Sequence, residues 1–302
     1  MNIIAKKNLY FLISLLVIIP GLMFFVLNFK EFGFGLNLGI DFVGGTKIEY
    51  QVPGKNEKDI AGIFKNENVQ IYTLQRSEDQ FTIRTRSLKP QVYKKIKEDL
   101  TLLSNNSKEL SYEDVGPIIG SETSINALKA LIIASILIVL YITWSFRSMP
   151  KPASSFRFGI CAIIALIHDV FVVVGTFAIL GYFLKVEIDS LFVTALLTII
   201  GFSVHDTIVV FDRIRENLNK MGSSNFTNVV NESILQTLVR SLRTSLTVIL
   251  VLVALLLFGG ESIRWFVVAL LVGVVSGTYS SIFNAAPLLV LWQELSNKGS
   301  RG

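Results

Sequence analysis

Apolar positions gather in six long runs, at residues 9–28, 127–146, 159–181, 190–211, 244–260 and 265–292. A helix needs about 17 to 25 apolar residues to cross the hydrocarbon core, so each run predicts one membrane span. The last is overlong and is expected to tilt, or to break near Asn284 and Pro287. Between the first two runs the period changes. Residues 47–52 alternate Ile48, Tyr50 and Val52 against Lys47, Glu49 and Gln51, which predicts a half-buried strand. A short helix is expected over 56–66, then strands over 70–75 and 80–86 joined by the polar turn 76–79. Over 90–103 a helix aligns Val92, Ile96, Leu100 and Leu103, with Pro90 in its first turn. An extended piece over 115–119 would complete a small α+β sandwich of the split βαβ kind.

Hydrophobic residues make up 51% of the 302. That is far more than one soluble core needs, and it makes the chain an α-helical integral membrane protein of six transmembrane helices. Charge then sets the orientation. Lys6 and Lys7 precede span 1, Arg147, Lys151 and Arg157 fill the turn between spans 2 and 3, and Arg213, Arg215, Lys220, Arg240 and Arg243 lie between spans 4 and 5. The opposite loops offer Lys185 against Glu187 and Asp189, and the short stretch 261–264. By the positive-inside rule both termini of this multi-pass membrane protein are expected to be cytoplasmic. The expected division is 1–28 for the N-terminus and span 1, 29–125 for an external ferredoxin-like α+β domain, and 126–302 for spans 2–6 with an amphipathic cytoplasmic segment at 224–243. A signal peptide is the competing reading of the N-terminus, but no small-residue cleavage site follows the first run, so it is expected to stay attached. Cys161, the one cysteine, lies in span 3, and no disulfide framework holds the external domain. The net charge of +5 follows from the cytoplasmic loops and does not call for nucleic acid.

Only two histidines occur, and each is followed by an aspartate inside a span: His168-Asp169 in span 3 and His205-Asp206 in span 4. A central Asp costs about 2.5 to 3.5 kcal/mol on insertion scales, so such groups are kept where they pair, bind or move an ion. Two pairs point to charge movement across a membrane. On a helix Phe202, Ser203, Asp206, Val210 and Arg213 share a face, while His205 is turned away by about 100°. Asp169 looks along Ala165, Leu166, Val172 and Val173. The plainer alternative makes both acids interhelical locks, bonded to Ser, Thr or His and never titrating.

Before span 5, Phe226, Val230, Ile234, Leu238 and Leu242 recur every four residues, which predicts an amphipathic helix lying on the cytoplasmic surface. Arg240 and Arg243 there either snorkel to headgroups or, for Arg240, turn inward as counter-charge to Asp206. Just outside span 1, residues 39–45 read GIDFVGG. Asp41 would repel a phosphate and no Gly-Lys-Ser/Thr follows, so the glycines serve the turn into the first strand. Gly273 and Gly277 in span 6 give a small-xxx-small face for close helix contact. The external domain holds no catalytic constellation, and a gripping role or a plain spacer fits it. No metal or cofactor is expected.

GIDFVGG (with Gly39, Asp41, Phe42, Gly44 and Gly45), GFSVHDTIVVFDRIREN (with Gly201, Asp212 and Arg213) and QTLVRSLRTSLT follow in this order around six spans and one large first external loop. Together they resemble the SecD/SecF family of protein-export membrane proteins, related to the resistance-nodulation-division transporters, over nearly the whole chain. The resemblance implies use of the proton-motive force to help preproteins finish crossing after SecA and the SecYEG channel have started them. It implies SecD as complex partner, SecYEG, YajC and YidC as further partners, and six spans that form half of a pseudo-symmetric twelve-helix unit. It also implies Asp206 as the functional acid and Arg240 as the functional arginine, with His168-Asp169 as a family feature. Where this chain has His205 the family commonly has Asn. The proton-coupling candidates are therefore Asp206, Arg240, Asp169, His168 and His205. Three other classes stay open: an intramembrane aspartyl protease built on two facing acids, a small-molecule or lipid exporter of the same superfamily, and a purely structural assembly factor.

Overall fold

The structure, a computed structural model, describes residues 2–104, 106–147, 154–221 and 225–299. Lys151 and residue 224, named above, lie outside them. The chain runs through α1 (Lys7–Phe32), a single turn α2 (Ile40–Val43), β1 (Gly45–Gln51), α3 (Glu57–Asn66), β2 (Ile71–Ser77), β3 (Gln80–Thr85), α4 (Pro90–Leu102) and β4 (Lys108–Val115). Long helices follow: α5 (Pro117–Ser145), α6 (Ser155–Leu184), α7 (Ser190–Met221), α8 (Phe226–Phe258) and α9 (Arg264–Ser280), which a π-helical turn, Ser281–Ala285, joins to α10 (Ala286–Gly299). Among the described residues, six helical segments are long and apolar enough to cross a membrane. The chain divides into two compact units, Leu38–Leu128 and the residues on either side of it.

In the membrane unit, backbone groups without water must bond within their own segment, so each apolar run becomes helical, the last of them with a π-turn inside it. Small residues then bring helices together. A Cβ on Gly21 of α1 would stand 2.6 Å from the Gly175 Cα of α6, so only glycine fits that crossing. Asn28 Nδ2 donates to the carbonyls of Gly35 (3.1 Å) and Ala178 (3.0 Å). Asn37 Nδ2 reaches the Lys185 carbonyl at 3.0 Å, and the Ile188 amide donates to the Asn37 carbonyl at 2.9 Å. These bonds tie residues 29–37 to α6, so the second unit begins at Leu38 and not at residue 29. Phe146, Phe158 and Phe211 meet near the other ends of their helices, with centroids 4.8 to 5.9 Å apart.

Two membrane elements differ from the sequence expectation. The break expected near Asn284 is a π-bulge that keeps α9 and α10 in one path, and Asn284 there exchanges hydrogen bonds with Ser14 of α1. The segment before span 5 does not lie on a surface. It is the first half of α8, and Phe226, Val229, Val230, Ile234 and Thr237 are buried. Phe226, Val230 and Ile234 of the four-residue repeat form a helix-packing stripe, anchored to α7 where Asn217 Nδ2 bonds Ser233 Oγ and Gln236 Oε1, both at 2.9 Å, while Leu238 is half-buried and Leu242 exposed.

The second unit is a four-stranded antiparallel sheet in the order β2-β3-β1-β4, the split βαβ arrangement. Ile48, Tyr50, Phe81 and Ile83 point from its central strands at Ile60 and Phe64 of α3 and Ile96 and Leu100 of α4, all buried. Asn56 caps α3 through a full capping box with Asp59. The last strand corrects the expectation: it is Lys108–Val115, and residues 117–119 already begin α5. Gly116 ends the strand, and Pro117, which lacks an amide hydrogen, suits a first helical turn.

Candidate functional site: two buried acids in the membrane unit

Asp169 and Asp206 are 1% and 3% exposed, the two acids that lie fully inside the membrane unit among the described residues. Their environments differ. Asp169 of α6 is saturated: Ser203 Oγ of α7 donates at 2.5 Å, and Ser276 and Ser280 of α9 donate at 2.6 and 2.7 Å. The Nδ1 of its neighbour His168 lies 3.0 Å from Oδ1, while Nε2 meets no partner among the described residues. That imidazole stacks beside Tyr279, whose hydroxyl donates to the Tyr10 carbonyl at 2.8 Å.

Asp206 sits one turn beyond Ser203 on α7. Ser245 of α8 and Thr278 of α9 present hydroxyls to its carboxyl and stand 2.6 Å from each other. Its Oδ2 meets no partner among the described residues. A buried oxygen left open is costly, and it marks a place for a proton or a moving donor. His205 points to the exposed side of the helix, as the turn of about 100° requires.

Of the residues singled out in the sequence, the structure brings Asp169, His168 and Ser203 together, and Asp206 lies one turn away. It does not bring Arg240 to Asp206. The guanidinium is on the exposed side of α8 and makes no ion pair among the described residues. At the exit of α7, Asp212 pairs with Arg215, and Arg213 bonds Gln236 (2.6 Å) and Glu216 (2.5 Å), so both serve local structure. Gly201 is exposed and a Cβ there would meet nothing. In the second unit Gly44 and Gly45 have φ of 76° and 125°, and a Cβ on Gly45 would lie 2.5 Å from the Thr85 carbonyl. Gly39 has ordinary extended backbone and precedes the α2 turn that holds Asp41 and buries Phe42. Ser276, Ser280, Ser245 and Thr278 were not identified from the sequence. Their only signal was small polar residues at helical spacing within apolar spans. The small face at Gly273 and Gly277 is internal: it packs on Ile199 and Ser203 of α7.

The family profile described as "Protein export membrane protein SecD/SecF, C-terminal" matches residues 95–295, and "SecD/SecF GG Motif" matches residues 32–52. The chain belongs to the SecD/SecF family. It is 48% identical to Protein translocase subunit SecF of Thermobaculum terrenum, over 97% of this chain and 94% of that one. It is 41% identical to the SecF of Anaerolinea thermophila, again over 97% of this chain and 94% of the relative. A crystal structure of SecDF from Thermus thermophilus superposes with a TM-score of 0.82 at 31% identity, over 97% of this chain and 39% of that one. This chain thus spans about two-fifths of the length of that SecDF. The six spans and the antiparallel sheet are features of this SecD/SecF fold, and the residues matched by the GG motif include the positive-φ pair Gly44-Gly45.

Proposed function

We propose that this chain is the SecF subunit of the protein-export machinery and that, with SecD, it uses the proton-motive force to promote preprotein translocation. The likeness to SecF proteins along almost the full length supports the subunit assignment. The observation that carries the mechanism is the open Oδ2 of Asp206 in the middle of an apolar span. One charge crossing the membrane field is worth about 2.3 kcal/mol per 100 mV, enough to bias a conformational equilibrium without nucleotide or covalent chemistry. Protonation of Asp206 removes a charge from a site framed by α7, α8 and α9, and the free energy of that step drives the change in helix packing.

SecD is the proposed second half. An apolar groove of about 440 Å³ runs between α8 and α9, lined by Leu242, Ile249, Val275 and Ile282, with Ser245 and Thr278 at its floor. A helix of SecD seated there would close the membrane face nearest Asp206 and could offer Oδ2 a donor. The fusion of corresponding segments in SecDF of Bacillus subtilis, 34% identical over 96% of this chain and 38% of its own length, favours such a pair. SecYEG, YajC and YidC are proposed as further partners, the chain sits in the cytoplasmic membrane with both termini inside, and residues 38–128 work outside. Arg240, His168 and His205 remain proposed members of the coupling path.

Asp206→Asn tests the reading, since it preserves shape and hydrogen bonding and removes the titratable proton. The variant is expected to co-purify with SecD at wild-type yield and to lose the proton-dependent part of export in membrane vesicles. Full proton-stimulated export by Asp206→Asn would refute the carrier role.

A further inference from the structure

We propose that Asp169 is a positioning residue for Asp206: its carboxylate holds α7 and α9 in the register that sets the Asp206 carboxyl against Thr278 and Ser245. The proposal rests on the reading of Asp206 as the proton carrier. Ser276 and Ser280 lie one turn apart on α9, and both donate to Asp169. Thr278 lies midway between them, so it is turned by about 200° from each and faces away from Asp169. It is on that side that Thr278 meets Ser245 and the Asp206 carboxyl. On α7, Ser203 donates to Asp169 and Asp206 follows one turn later. One carboxylate therefore grips both the helix that carries the acid and the helix that carries the acid's hydroxyl partner.

Close packing makes that grip decisive. A Cβ on Gly277 would lie 3.1 Å from the Ser203 Cβ, and one on Gly273 would strike the Ile199 side chain, so α7 and α9 meet without slack. Three hydroxyl donors and the His168 imidazole fill the acceptor positions of Asp169. The polar groups set against the Asp206 carboxyl are Ser245 from α8 and Thr278 from α9, while the charged or titratable neighbours His205 of α7 and Arg240 of α8 stand on the exposed sides of their helices. The acid with every position filled anchors, and the acid with an open oxygen exchanges its proton. The π-bulge begins directly after Ser280, so the anchored stretch of α9 ends where the helix becomes easiest to deform.

The test uses the full chain produced with SecD in membrane vesicles and reads register and protonation separately. Register is read as the rate of disulfide formation between cysteines placed at Ile199→Cys and Gly273→Cys. Protonation is read as the pH midpoint for labelling of Asp206 by a hydrophobic carbodiimide, located by peptide mass spectrometry with Asp206→Asn as blank. Asp169→Asn is expected to slow the disulfide about tenfold, as loss of a charge-assisted hydrogen bond implies. It is also expected to move the labelling midpoint by about one pH unit. Asp169→Glu, which keeps the charge, should recover most of both. An unchanged disulfide rate in Asp169→Asn would overturn the proposal, and so would a slowed rate with an unmoved midpoint. If wild-type Asp206 shows no pH-dependent labelling while the disulfide still depends on Asp169, the carrier reading of Asp206 falls and the positioning of the helices by Asp169 is upheld.

Discussion

At the scale of single residues, burial and spacing explain which roles could be read from the sequence. His205 and Asp206 are adjacent, so a helix had to send them to different sides, and the structure does so. Arg240 could not be placed this way, because its direction depends on the packing of α8 and not on its own sequence. Since no ion pair or hydrogen bond joins it to Asp206 among the described residues, thermal-stability losses of Arg240→Met and Asp206→Asn in the detergent-solubilised chain should add within about 0.5 kcal/mol. A coupling well above that would mean the two charges meet in the resting state. Outside the membrane, the Tyr93 hydroxyl donates to Glu109 at 2.7 Å, and burial, then that bond and the Glu109 charge, push the phenol far above its usual range. A raised folded-state value gives stabilisation that is complete below about pH 10 and is lost as pH rises beyond it. Melting temperature should therefore fall above pH 10, and Tyr93→Phe should flatten that fall in part, because burial raises Tyr112 in the same direction. An identical alkaline slope in the Phe variant would disprove the assignment.

Among elements, the six spans, three of the four strands and both helices of the second unit were legible because apolar runs and alternation report directly on lipid and sheet. What escaped were elements whose fate is set by a neighbour. The first half of α8 carries the amphipathic repeat of a surface helix, yet Asn217, Gln236 and Ser233 knit it to α7. Nothing in its own pattern distinguishes lipid headgroups from another helix as the covering surface. The N-terminal turn is a second case. Ile3 and Ile4 are 1% and 2% exposed, and the Ile3 amide donates to Asn231 Oδ1 of α8 at 2.8 Å. Asn231→Leu would leave that buried amide unpaired, at a cost of about 1 to 3 kcal/mol. The expected result is faster proteolytic clipping of the first residues with the spans intact, and a clipping rate equal to wild type would show that the apolar contacts alone hold the turn.

For the whole molecule, orientation is the property that ties the fold to export, and charge is what sets it. At one end of the membrane unit, Lys7 bonds Glu294 at 2.6 Å, Arg157 bonds Gln293 at 2.5 Å, and the N-terminal turn meets Asn231. Lys6, Arg213, Arg215 and Lys220 belong to the segments that meet at this basic end. At the other end, Asn37, Lys185 and Ile188 join loops poor in Lys and Arg, with Lys185 paired to Glu31. Positive residues resist translocation, so the basic end should stay in the cytoplasm and the chain between α1 and α5 should be outside. Two single cysteines can decide this. Cys161 is buried and should stay silent, so Lys55→Cys and Ser154→Cys can be read against the native background. In intact spheroplasts an impermeant maleimide should modify the cysteine at 55, and the one at 154 only after the membrane is opened. If the cysteine at 154 were labelled from outside, the basic end would face away from the cytoplasm. The unit Leu38–Leu128 would then face the cytoplasm, and the proposed orientation would fall.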